Sequence, residues 1–175
     1  VTLDRAEASL LVSLVGQVSA LLAEGSAPID ADPIEVLEAS LGEAAASPDT
    51  PILERLLPDA YREDPAAAAE FRRLTDADLR ASKRGALQQI LDDIGAAGSI
   101  GRARNLTVDL AEPAATAWLH ALADVRLALG IRLDITEETT VDTADLPPES
   151  SRAAELAVYD WLTWLQDALV RAVSG

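Results

Sequence analysis

The sequence predicts a mainly all-α protein, a single helical bundle over 1–175 with at most a minor two-stranded β ribbon. Three observations carry this. Apolar residues recur at helical spacing in several long stretches, and capping residues stand at their starts. Apolar positions make up 49% of the 175 residues, enough for one core. The last long stretch, SSRAAELAVYDWLTWLQDALVRAV at 150–173, is apolar nearly all round. At about 100° per residue, Val158, Trp161, Leu162, Trp164, Leu165, Ala168, Leu169 and Ala172 fill one face. Leu156, Tyr159 and Val170 lie outside it, leaving a polar strip around Asp160, Thr163, Asp167 and Arg171. Such a helix is expected to be the central post of the bundle or to be shared with a second subunit. Trp118, Trp161 and Trp164 are the candidate core or interface anchors. A homodimer and burial within one subunit account for the pattern equally.

In chain order, Val1, Thr2 and Leu3 read as the end of a short strand or as a lead-in. Asp4 is an N-cap with Glu7 three residues on, a carboxylate version of the capping box. Leu10, Leu11, Leu14, Val15, Val18, Leu21 and Leu22 form the stripe of the first helix, which ends near Gly25. After the linker GSAPIDADP, Asp32-Pro33 with Glu35 starts a short helix that Gly42 closes. EAAASPDTP is a loop, and a brief helix from Thr50-Pro51 through Leu57 is stopped by Pro58. Asp64-Pro65 opens AAAAEFRRL, and Thr75 with Asp78 caps a second helix running to about Ile94. Two helices so closely joined have the outline of a helix-turn-helix. GAAGSIGRARN reads as a mobile connection. Its Gly95, Gly98 and Gly101 follow no strand and lack the GxGxxG spacing of a phosphate loop.

Residues 107–112, TVDLAE, then echo TLDRAE at 2–7. The same capping chemistry is expected, with Asp109 opening a helix over 110–129 that buries Ala114, Trp118, Leu122, Val125 and Leu129. If the residues before each cap are extended, 1–3 and 105–108 pair as the ribbon. The acidic, proline-terminated stretch after Thr136 is a loop. Flexible linkers are thus expected at about 25–32, 43–50, 95–105 and 136–149.

Composition restricts the chemistry. There is no cysteine, which excludes disulfides, thiolate chemistry and sulfur-ligated zinc, and one histidine leaves little for a metal site or a triad. No cofactor is expected. Without a long uninterrupted apolar run or a basic leader, the chain is expected to be soluble and cytoplasmic, with no membrane partner. The absence of methionine leads us to expect a segment upstream of Val1. The net charge is −16, unevenly spread. Residues 55–84 hold seven basic against six acidic groups, which leaves seven against 24 elsewhere. That field repels nucleic-acid phosphates while permitting a local basic docking surface.

The candidate side chains each have a structural account beside a functional one. His120 falls opposite Trp118, four residues before Asp124, as an exposed i,i+4 pair would. Lys83, the only lysine, projects near the middle of the stripe of Leu79, Leu87, Ile90 and Ile94. It is expected to snorkel or to pair with a carboxylate, and only secondarily to serve as a nucleophile. Arg72 and Arg73 end one helix and Arg80 and Arg84 flank Lys83 on the next. With Arg62 and Tyr61 nearby, they form either a solvated face or a docking surface. Reversing Arg80 and Arg84 is then expected to weaken partner binding with melting nearly unchanged. Asp92-Asp93, Glu137-Glu138, Asp142 and Asp145 lack a calcium-loop pattern and read as solvating charge. No nucleophile-elbow, phosphate-loop or zinc-protease motif is present, so an enzyme is the less favoured class.

Three blocks together carry a resemblance: LLPDAYREDPAAAAEFRRLTDADLRASK at 56–83, AWLHALADVRLALGIRLDIT at 117–136 and AVYDWLTWLQDALVRAV at 157–173. With EASLLVSL at 7–14 they resemble the actinobacterial AosR-like oxidative-stress regulators, a family first grouped as a domain of unknown function and often encoded near the ClpS adaptor. The resemblance implies transcriptional regulation under oxidative stress by contact with the transcription machinery, a sigma factor or RNA polymerase. It names no catalytic residue. The family's redox sensing is attributed to cysteines, so no thiol switch carries over to these residues. The gene neighbourhood supplies an alternative, an accessory factor of Clp proteolysis. The 65–94 helix pair supplies another, a DNA-binding regulator.

Overall fold

The computed structural model describes residues 1–23, 51–61, 63–99, 104–136, 147 and 150–174. Among these are a two-stranded ribbon, β1 (Thr2–Asp4) with β2 (Asn105–Thr107), and five helices. The helices are α1 (Arg5–Ala23), α2 (Pro51–Leu56), α3 (Pro65–Ser99), α4 (Glu112–Arg132) and α5 (Ser151–Ser174). The short helix expected at Asp32-Pro33 and the linkers at 25–32 and 43–50 lie outside the described residues, as does nearly all of 136–149.

The ribbon is antiparallel, pairing Thr2 with Thr107, Leu3 with Leu106 and Asp4 with Asn105. It continues one pair further, where Val1 and Val108 exchange backbone hydrogen bonds of 2.8 Å in both directions. Asp4 ends the strand and caps α1. Its Oδ1 accepts from the N–H groups of Ala6 and Glu7, and Glu7 Oε2 accepts from the Asp4 N–H at 2.7 Å. This reciprocal cap contributes on the order of 1 kcal/mol. Asp64 caps α3 in the same manner through Ala66 and Ala67, and Ser150 Oγ caps α5 through the Ala153 N–H.

The echo at 107–112 behaves differently. Helix α4 starts at Glu112 with Ala111 at the N-cap and no side-chain cap, so Asp109 caps nothing. A helix capped by Asp109 would place Pro113 where the first intrahelical N–H is required, and proline has none. The helix therefore opens two residues later, with Ala115 N–H bonded to the Ala111 carbonyl at 2.9 Å.

The turn expected at Thr75 is also absent. Helix α3 runs unbroken through Pro65–Ser99, so there is no helix-turn-helix, and residues 95–99 of the supposed linker are helical. The Thr75 hydroxyl donates back to the Phe71 carbonyl at 2.8 Å across the expected break, and Asp76 just after it pairs with Arg80. Both groups are satisfied inside one helix, so nothing forces it open.

Helix α4, not the C-terminal helix, is the centre: it packs against α1, α2, α3 and α5. Its buried residues include Ala115, Trp118, Ala121, Leu122, Val125, Ala128, Leu129 and Gly130. Alanine and glycine on several sides let neighbouring helices approach closely, which a hydropathy wheel registers as weak. The ring of Tyr159 from α5 lies against Gly130 and 5.4 Å from the Arg126 guanidinium. A Schellman arrangement ends α4. Asp134 takes the left-handed conformation (φ 54°), its N–H bonds the Ile131 carbonyl, and that of Ile135 bonds the Gly130 carbonyl. Arg152 of α5 donates to the Leu133 carbonyl at 2.6 Å and fixes where α5 enters.

Helix α5 packs chiefly on α4, burying Leu156, Leu162, Leu165 and Leu169. Its other face is open, with Trp164 59% exposed. Helix α1 is the one described helix long and apolar enough to cross a membrane, yet Leu11, Val15 and Leu22 along its stripe are buried in the core.

Candidate functional site

The cationic cluster on α3 is built from a helix too long to be covered along its whole length. Its buried apolar positions are Ala68 near the start and Leu87, Ile90 and Ile94 toward the end. Four of the five basic residues between have carboxylate partners within the chain. Arg72 pairs with Asp59. Arg73 pairs with Glu70 at 2.7 Å, and this hydrogen bond holds the Glu70 carboxyl below the usual carboxylate range. Lys83 Nζ donates to Asp124 Oδ1 of α4 at 2.6 Å, the carboxylate partner anticipated for it. Arg84 is half-buried, its Nε enclosed without a hydrogen-bond partner among the described residues. Arg62 lies outside the described residues, while Tyr61 is exposed and meets Phe71 edge-on at 6.1 Å.

Arg80 departs most from expectation. It is 8% exposed, donates to Asp76 at 2.6 Å, and reaches the Leu22 carbonyl in the last turn of α1 at 3.2 Å. A guanidinium there adds a charge-assisted hydrogen bond at the negative end of the helix. Arg80 is thus a tie between α1 and α3, buried too deeply for a docking contact. Replacing Arg80 by alanine is expected to cost about 2 kcal/mol, because the charge-assisted hydrogen bonds to Asp76 and to the Leu22 carbonyl are lost. Urea unfolding followed by circular dichroism measures this, and an unchanged midpoint would return Arg80 to the surface. The sequence signal was available: Arg80 stands seven residues before Leu87 on the same stripe.

The Lys83–Asp124 pair sits at the floor of a cleft of about 510 Å³ between α3 and α4, which Ser82, Gln89, Thr116 and His120 also line. His120 is exposed, and the carboxylate expected to pair with it is engaged by Lys83. Asp92 and Asp93 accept from Gln88 and Gln89, and Asp93 also accepts from the Trp118 indole N–H at 2.8 Å. Among the described residues no group of three or more acidic or histidine side chains converges as a metal site would.

The three tryptophans have different surroundings. Trp118 is fully buried. Trp161 is half-buried and donates to Glu7 Oε1 at 3.1 Å, so the capping glutamate of α1 also holds α5. Trp164 is open to solvent.

A family profile described as a domain of unknown function, DUF2017, matches residues 1–173. The chain belongs to that family. The match runs from β1 through α5, so the described elements are all parts of the DUF2017 unit. Its relatives include proteins named oxidative stress regulator AosR from Mycobacterium tuberculosis and Mycobacterium bovis. Each is 36% identical to this DUF2017 chain over 97% of its length and 79% of the relative's. No solved structure matches it.

Proposed function

We propose that this protein is a non-enzymatic regulator of the oxidative-stress response that works in the cytoplasm by contact with the transcription machinery, a sigma factor being the partner. The observation that carries this reading is the 36% identity, across 97% of the chain, to proteins named oxidative stress regulators. An acidic body of net charge −16 favours a basic protein region and disfavours DNA. The unbroken α3 leaves the helix-turn-helix alternative without its turn. With no cysteine in the sequence, the stress signal reaches this protein through its partner or its abundance, not through a thiol of these residues.

Affinity capture of the tagged protein from an actinobacterial lysate, with and without peroxide, tests the reading. RNA polymerase or a sigma factor is expected among the captured proteins, in amounts that change with peroxide. Recovery of Clp components in their place overturns it in favour of a proteolysis accessory. DNA binding that falls steeply with salt in the absence of polymerase overturns it in favour of direct DNA recognition.

A further inference from the structure

A groove that none of the α3 arginines lines has the features of a protein-docking site. It runs along the C-terminal half of α5, from Trp164 to Val173, beside the ribbon and the lead-in to α4. The segment from 164 to 173 is about 13 Å long, between two and three helical turns. The floor is apolar, formed by Leu165, Leu169, Val108 and Leu110, and encloses a recess of about 310 Å³. Trp164 is the wall, and it is 59% exposed where Trp118 is fully enclosed. An aromatic wall over an apolar recess is the usual form of an interface anchor.

Charge selects the occupant. Asp109 lines the groove, and Asp160 and Asp167 stand four residues before and three after Trp164, exposed on the same face of α5. Arg171, a turn further on, is the basic residue set against these three carboxylates. A second copy would bring the same three carboxylates to an isologous contact between molecules of net charge −16 each, so self-pairing is disfavoured. A partner with basic residues bordering an apolar face meets both features of the groove.

We propose that this groove receives a cationic amphipathic helix of the partner protein, its apolar side chains in the recess against Trp164 and its lysines or arginines against Asp109, Asp160 and Asp167. The inference rests on the regulatory reading for the existence of a protein partner and names the chemistry of that partner's contact. It also moves the contact away from Arg72, Arg73 and Arg80 of α3, whose charges are engaged within the chain.

The test uses the full chain, isotope-labelled, titrated with three helical peptides of equal length: leucine and lysine in amphipathic order, leucine and glutamate in the same order, and serine with lysine. Shifts of the Trp164 indole signal and of the backbone of 108–110 and 173 are expected with the first peptide alone. Trp164→Ala is expected to weaken that binding about tenfold or more. Asp160→Asn with Asp167→Asn is expected to weaken it several-fold and flatten its dependence on salt. These positions are exposed, so the variants retain the melting behaviour of the parent. Equal binding of the leucine–glutamate or serine–lysine peptide, shifts centred elsewhere, or indifference to Trp164→Ala overturns the proposal. A concentration-dependent dimer abolished by Trp164→Ala overturns it in favour of a second copy. Capture of the transcription machinery that survives Trp164→Ala removes the groove and leaves the regulatory reading standing. Peptide binding at the groove without such capture removes that reading and leaves the groove.

Discussion

Replacing Trp118 by alanine is expected to cost about 3–5 kcal/mol, a large share of the roughly 5–15 kcal/mol that holds a domain of this size together. Trp118 is wholly enclosed on α4, the helix that all four other described helices touch. Its removal opens a void that neighbouring helices fill only in part. It also takes from Asp93 the indole N–H at 2.8 Å, leaving that half-buried carboxylate the Gln89 amide at 3.0 Å. Trp118→Phe separates the two effects. It keeps most of the volume and loses the hydrogen bond, so a cost of about 1–2 kcal/mol is expected. Trp164→Ala, at an exposed position, is expected to stay within about 0.5 kcal/mol. Urea unfolding followed by circular dichroism gives all three values on one scale. If Trp118→Ala and Trp164→Ala cost the same, the assignment of one tryptophan to the core and the other to a partner is wrong.

How much of this was legible in the sequence depended on the range of the interaction. The caps at Asp4 and Asp64 act over two or three residues, and the structure shows both. The ribbon was legible because similar segments precede Asp4 and Asp109, and residues before both are extended and paired. Where the same pattern failed, a second local rule had priority. Pro113 displaced the start of α4 away from Asp109, and the Thr75 hydroxyl found the Phe71 carbonyl instead of opening a turn. The identity of the central helix was not legible. Large apolar side chains marked α5, yet centrality belongs to the helix whose alanines and Gly130 admit neighbours on several sides. In the candidate site, the type of group that Lys83 requires could be read, but not that it is Asp124, 41 residues away on another helix. The burial of Arg80 could be read from its place on the Leu87 stripe, but not its second partner, the Leu22 carbonyl, a tertiary contact with no sequence signature.

Replacing Asp124 by alanine is expected to cost about 2–3 kcal/mol, and the companion changes show why. Asp124 has a side chain only 10% exposed, and its carboxylate is the partner of the single lysine of the chain. Alone, Asp124→Ala leaves an ammonium group at the base of the cleft with its charge uncompensated. Breaking one side of a buried pair costs about 3–5 kcal/mol, and the 21% exposure of the Lys83 side chain lets water recover part of that. Lys83→Met with Asp124→Leu removes both charges and fills the space with apolar atoms, so the double variant is expected within about 1 kcal/mol of the parent. The shortfall against the sum of the single changes measures the coupling between α3 and α4. The same cycle bears on function. If the pair only joins two helices, the double variant retains partner capture in full. If Lys83 were a reacting group, stability would return in the double variant and the stress-dependent activity would not. The first outcome is expected, because the lysine is held by a carboxylate at 2.6 Å that joins the two helices.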